Sequence, residues 1–199
     1  MFRLTRAGQR DRDKLFAAAQ VAPVASPHLL TLADGPLGPP PKGFVHDYSK
    51  TQIGVGPDAF MIARRAFQRW EEFDLGWVNV TNQAPSIVPG EFVAVEVFAA
   101  FLWSTNVSRV VEIVDASNRF GFLYATTALH VEEGQERFVL ELDPRSGAVF
   151  YLIEAISRPR HILARIGYPF SRVMQRRFAR DSHARMRRSV QNARKHTGG

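Results

Sequence analysis

The stretch LHVEEGQERFVLEL, residues 129–142, sets one His, four Glu and one Arg among apolar residues. Along an extended strand, Glu136, Phe138, Leu140 and Leu142 share one face, and Arg137, Val139 and Glu141 share the other. A carboxylate beside Phe138 has its charged form disfavoured unless a cation or a hydroxyl answers it. His130, across the VEEG turn, can pair with Glu136 as an acid/base couple at a cavity mouth, and these two are the catalytic candidates. The alternative is a hairpin end closed by an ion pair, with Glu136 taking Arg158 or Tyr124 as its partner.

Three more glutamates interrupt apolar strands: Glu96 in VAVEVFA, Glu112 in RVVEIVD and Glu154 in YLIEAIS. Buried charges need partners, and Arg109, Arg137 and Arg158 are the nearest in chain order. Read inward, Glu96, Tyr124, Glu136, Arg137 and Glu154 form the polar lining of a ligand cavity; read outward, the acids are edge positions facing water. Neighbouring strand residues point to opposite faces, so Glu136 and Arg137 enter one cavity only if a bulge follows Gly134. Near the C-terminus, Arg172, Arg176 and Arg180 recur four apart and form a basic ridge suited to anionic surfaces.

Other chemistries find no support. The six histidines form no HxH or HExxH set, so no metal site is expected. No phosphate-binding glycine loop and no GxSxG elbow occurs, and no cofactor is expected. The chain has no cysteine, which excludes disulfides and thiol catalysis and fits a cytoplasmic location. The opening residues are too charged for a secretory signal, and no apolar run reaches the length of a membrane helix. The net charge of +7 is unevenly placed: residues 157–195 carry 12 Arg and Lys against one acid, Asp181. That segment lacks exposed aromatics between its cations, so specific nucleic-acid binding is not expected.

These groups are positioned by elements that the residue pattern makes visible. A short helix is expected over 11–20, and a stiff loop over 34–43, where four prolines and three glycines suit neither helix nor central strand. Residues 44–55 read as a strand and 58–73 as an amphipathic helix buried through Phe60, Ala63, Phe67 and Trp70. From Trp77 onward the period is two, giving strands over 91–101, 109–115, 120–129, 136–142 and 148–156, divided by turn signals such as WSTN, EEG and DPRSG. Connections that short imply antiparallel pairing. A short helical turn is expected over 161–166 and a long helix over 169–190, with Phe170, Val173, Met174, Phe178 and Met186 on one face. Burial of Phe170, Met174 and Phe178 against the sheet is expected, with Phe178→Ala costing about 3–5 kcal/mol.

The expected architecture is α+β: a curved antiparallel sheet of about six to seven strands packed on the long C-terminal helix, one domain over 1–190 and a flexible basic tail over 191–199. By fold-level analogy this is a helix-grip arrangement of the SRPBCC or START type.

The strings RRAFQRWEEFDLGWVNV, RFGFLYATTALHVEEGQERFVLEL and EAISRPRHILARIGYPFSRVMQRRFARDS, in that order, resemble the bacterial and plant family known as domain of unknown function 1990, of UPF0548 type. The resemblance implies no catalytic residue set, and it links one plant member with a cation-selective pore. The family's strand usually enters as Gly-Glu-Glu-Arg-Phe, whereas this chain has Gln135 in place of the first acid. The expected function is binding of a small hydrophobic or lipid-like molecule between sheet and final helix. A peripheral membrane or pore-associated protein using the Arg ridge is the alternative. A hydrolase or cyclase using His130 and Glu136 is the third reading.

Overall fold

In the computed structural model, which describes residues 2–81, 85–160 and 168–197, the period-two segments pair into one antiparallel sheet. A two-residue strand β1 (Phe2–Arg3) and helix α1 (Gln9–Val21) come first, then a small ladder of β2 (Leu30–Thr31) and β3 (Gly35–Pro36). These are followed by β4 (Val45–Val55), α2 (Pro57–Gln68), a 3-10 turn (Glu71–Phe73) and β5 (Val78–Val80). The long meander is β6 (Phe92–Ala99), β7 (Leu102–Ala116), β8 (Arg119–Thr126), β9 (Glu132–Leu142) and β10 (Ala148–Pro159), closed by α3 (Tyr168–Thr197). The sheet order is β4-β10-β9-β8-β7-β6-β5, with β1 added beside β7. This is the expected α+β grip of a curled antiparallel sheet on a C-terminal helix.

The concave face is filled by large aromatic rings. Phe122 and Phe138, partners across β8 and β9, stack at 5.1 Å, and Phe67 of α2 meets Tyr151 of β10 edge-on at 5.2 Å. Phe73 and Phe178 bring the 3-10 turn and α3 onto Phe138. Gly54 lets the helices in: a Cβ there would lie 2.8 Å from the Ala59 Cβ and 3.0 Å from Val190. The α2 helix stops at Gln68, short of the expected 73, because Trp70 takes a left-handed backbone (φ 57°). Trp70 and Phe73 both enter the core.

The convex face is also covered, by the first 44 residues. Helix α1 packs Leu15, Phe16 and Ala19 over Ala94 and Val107, and Leu29, Leu30 and Leu32 lie on Leu123, Val139, Leu152 and Ile156. The backbone of this strap is held by side chains that rise from the sheet. Gln135 Oε1 accepts from the Leu29 and Leu30 amides at 2.6 and 2.8 Å, and Glu112 accepts from Leu32 N at 3.0 Å. Arg137 Nη1 donates to the Thr31 and Leu32 carbonyls at 3.0 and 3.2 Å.

Several boundaries differ from expectation. WSTN and EEG are not turns but lie inside β7 and β9. Ser104, Thr105 and Asn106 are buried despite being polar, which hides the start of β7 from hydrophobic periodicity. The final helix continues through Thr197, past the expected end at 190, so the stretch expected to be a flexible tail is helical to that point. On α3, Met186 and Val190 are buried and Phe178 is half-buried, while Val173 is 53% exposed. The expected turn over 161–166 and the Phe170 side chain lie outside the described residues.

Candidate functional site at the open end of the grip

Register places a row of four residues side by side across the concave face. Asp47 of β4 faces Ala155 of β10, Ala155 faces Glu136 of β9, and Glu136 faces Tyr124 of β8. Tyr124 Oη donates to Glu136 Oε2 at 2.5 Å. Nearer the strand ends, beyond Gly134, Glu132 accepts from Ser157 Oγ at 3.1 Å and from Gln175 Nε2 of α3 at 3.1 and 3.3 Å. Arg172 of α3 makes a two-pronged ion pair with Asp47, which anchors the start of the helix over the row. Small residues occupy this end of the sheet: Ala155 separates Asp47 from Glu136, and at Gly134 a Cβ would fall 2.2 Å from the Ile156 carbonyl oxygen.

The electrostatics follow from burial. Burial pushes the Glu136 carboxyl up to about 7, with Glu132 and Asp47 adding to the rise and the Tyr124 hydrogen bond opposing it. Glu132 is likewise raised by burial, against the hydrogen bonds from Ser157 and Gln175 and the Arg172 charge. Burial next to Glu136 holds Tyr124 protonated, well above the usual phenol range. Near neutral pH the site therefore presents a phenol and a carboxyl group close to half-protonated, able to donate or to accept a hydrogen bond.

The sequence-derived residues divide between the two faces. Tyr124 and Glu136 share the concave row. Glu96, Arg137 and Glu154 lie on the convex face, under the N-terminal strap, and so do not line a space between sheet and α3. Glu154 accepts from Arg137 Nε at 2.5 Å and contacts His46 Nε2 at 2.7 Å, and Glu96 accepts from Arg6 Nε at 2.7 Å. Alternation along β9 sends Arg137 to the side opposite Glu136, with no bulge after Gly134 in the β9 register. Gln135, where the family pattern has an acid, points to the strap and keeps the acceptor its role there requires. His130 is not brought onto Glu136: its Nδ1 accepts from the Glu132 amide at 2.9 Å, and burial lowers its pKa to about 4, leaving it neutral. The Arg ridge is uneven, since Arg172 is turned to Asp47, Arg180 pairs with Asp181 and Arg176 is exposed.

Asp47, Glu132, Ser157 and Gln175 were not singled out from sequence. Their signal is the alternation itself, since each sits in step with an inward residue on its strand or helix, but nothing in their types marks them.

A second polar group lies deeper. Ser49 Oγ and His183 Nε2 are 2.9 Å apart, and Tyr151 Oη and Ser182 Oγ are 2.9 Å apart. Glu72 beside them is fully buried, and neither carboxylate oxygen has a hydrogen-bond partner among the described residues. Burial raises its pKa well above the usual carboxylate range. At the same end of the sheet, on the side of Phe44 and the Glu133–Arg158 ion pair, lies a cleft of about 750 Å³ lined by Phe44, Val45, Glu133, Arg158, Pro159 and Arg160. Among the described residues no group of acids and histidines is arranged to hold a metal, and no helix is long and apolar enough to cross a membrane.

Comparison with known proteins agrees with this architecture. A UPF0548 protein of Dictyostelium discoideum is 34% identical over 165 residues, covering 77% of this chain and 76% of that one. A UPF0548 protein of Arabidopsis thaliana is 31% identical over 147 residues, 70% of each chain. Among solved structures, the Zhui aromatase/cyclase from Streptomyces sp. R1128 superposes with a TM-score of 0.53 at 10% identity, covering 78% of this chain and 99% of that one. At that identity the likeness shows a shared fold. The family described as "Domain of unknown function (DUF1990)" matches residues 30–185, which include β4 to β10, α2, the first part of α3 and every residue of the concave row, and the chain belongs to that family.

Proposed function

We propose that this protein binds a small, largely apolar molecule at the open end of the grip, over Ala155, with Tyr124 and Glu136 making the polar contacts. The carrying observation is the Tyr124–Glu136 hydrogen bond on the concave row, held beside the small Ala155 and under the first turns of α3. A carboxyl poised near neutrality suits a hydroxyl or carbonyl ligand better than an ion, because it can serve as donor or acceptor without leaving a buried charge unpaired. The aromatic packing deeper in the grip favours a ligand seated at the rim over one threaded through the core. A solved neighbour of the same fold is an aromatase/cyclase, which supports a small-molecule reading of the scaffold.

Native mass spectrometry of the protein purified from its own host, together with titration of anilinonaphthalene sulfonate, tests the reading. A retained small molecule, and probe binding that Ala155→Phe or Glu136→Leu weakens while the fold persists, is the expected result. A bare wild-type chain whose probe binding neither substitution alters would overturn it.

A further inference from the structure

The β6–β7 turn combines two features that folding alone does not ask for. Ala99 pairs with Leu102, so the loop is only Ala100–Phe101, and both residues have positive φ, 49° and 62°. Two-residue turns of this kind favour Asn and Gly, because a side chain in the left-handed region is strained. Here the second position holds Phe101, 86% exposed. A strained backbone that presents a large apolar ring to water gains nothing for the fold and points to a role at the surface.

The surroundings extend the patch. Phe98 is 37% exposed and packs against Trp103, with ring centroids 4.9 Å apart. Leu4, which follows the residue paired with Trp103, is 81% exposed. The Arg6 guanidinium lies over the Trp103 ring at 5.4 Å, and Arg10 and Lys14 are exposed on the adjoining helix α1. The first fourteen residues carry five cations against two acids, Asp11 and Asp13.

Strand direction fixes where this tip lies. β6 ends, and β7 begins, at the end of the sheet where β4 and β9 begin and β8 and β10 finish, which is the end that holds Asp47, Glu136 and Tyr124. The β8 ladder stops at Ser108, so residues 102–107 carry the hairpin past it. We infer that the β6–β7 hairpin is a membrane-docking finger, inserting Phe101 and Leu4, with Phe98 and Trp103 behind them, into a lipid surface of anionic headgroups and turning the open end of the grip toward the bilayer. Apolar tip and flanking cations are complementary to an acyl interface under a negative headgroup layer, and a protruding two-residue turn fits a penetrable surface better than a flat protein face.

Co-sedimentation with vesicles of phosphatidylcholine containing a minor share of phosphatidylserine, and with phosphatidylcholine alone, tests this. Wild type is expected to bind the anionic vesicles, with binding weakened by salt. Phe101→Asp should weaken partitioning by about tenfold or more, as the loss of one inserted aromatic predicts. Phe101→Gly is the decisive variant: it relieves the turn, so its thermal melt should equal or exceed wild type while vesicle binding falls. Both variants should keep anilinonaphthalene sulfonate binding at the concave row, which separates failure here from failure of the small-molecule reading. Wild type that stays in the supernatant with both vesicles, Phe101→Gly that binds like wild type, or a Phe101-dependent dimer in sedimentation velocity with no vesicle binding would each overturn the inference.

Discussion

Tyr124 and Glu136 are direct partners across β8 and β9, and the phenol donates to the carboxyl at 2.5 Å. Because burial raises the folded Glu136 pKa from 4.5 to about 7, the folded state holds a proton that the unfolded chain has released throughout that interval. The group's contribution is complete below pH 4.5 and is lost as pH rises through 7, by about 3 kcal/mol at the limit. Glu136→Gln removes that titration. Urea unfolding of wild type and mutant at pH 5 and pH 8 should show wild type losing stability relative to the mutant at the higher pH. A mutant with the same pH dependence as wild type would place Glu136 in a solvated environment. If a substrate is found, a Glu136→Gln protein that folds normally, binds it and loses all turnover would identify Glu136 as its acid/base.

His183 titrates with the opposite sign. Burial and the nearby Arg187 charge lower its folded pKa from 6.5 to about 4. Its contribution is complete above pH 6.5 and is lost as pH falls toward 4. His183→Gln should therefore be less sensitive than wild type to acidification across that window, as read by thermal melts. The Ser49 contact keeps an amide partner in that variant, so the melt at pH 8 should drop by only about 1 kcal/mol.

Arg137 and Glu154 test the assignment of the convex face to structure. Arg137→Met leaves the buried Glu154 with His46 alone and strips two carbonyls of the strap, so a loss of about 3–5 kcal/mol is expected in denaturant unfolding. The double change Arg137→Met with Glu154→Leu should recover much of it. Probe binding at the concave row should follow neither. A folded single mutant that loses binding while keeping its stability would return Arg137 to the site.

Glu72 is the reverse case, a buried carboxyl with no hydrogen-bond partner among the described residues. Glu72→Met should raise stability by about 1–3 kcal/mol, since removing an unpartnered buried polar group costs no interaction. A large loss would mean that the carboxyl has a role in organising the Tyr151–Ser182 pair.

Core truncations rank by depth. Phe138, fully buried against Phe73, Phe122 and Phe178, should cost about 3–5 kcal/mol on change to Ala. Phe178 is half-buried, so Phe178→Ala should cost less than the sequence suggested. Equal losses in the two melts would show that α3 is seated more deeply than its exposure indicates.

Strand existence and facing were legible because Glu136, Phe138 and Leu140 keep a strict period of two, and the same rule separates Arg137 from them. What alternation does not say is which face meets the helix. Both faces of β9 are buried, one by aromatics and one by the strap, and the strap's own strands are two residues long with no periodicity to read. Glu96, Arg137 and Glu154, read from sequence as cavity lining or as acids at water-facing edges, are instead buried under the strap. The Ala100–Phe101 turn went unseen because neither residue is a turn former, and the polar WSTN beside it imitated one.

The strap at Leu29–Leu32 is synthesised early, yet its acceptor on Gln135 comes more than a hundred positions later, at separations of 106 and 105. Until β9 exists, those amides have no docking surface, and their leucines have none until β8 to β10 have formed. The hairpins from β6 to β10 are local and can pair as they emerge, so they form the sheet on which the strap then closes. A chain shortened from its front would still contain the hairpins, but it would expose Gln135, Arg137 and Glu154 beside a bare apolar surface. The strap lies upstream of the sheet in the chain, yet it has a surface to dock on only once that sheet has formed.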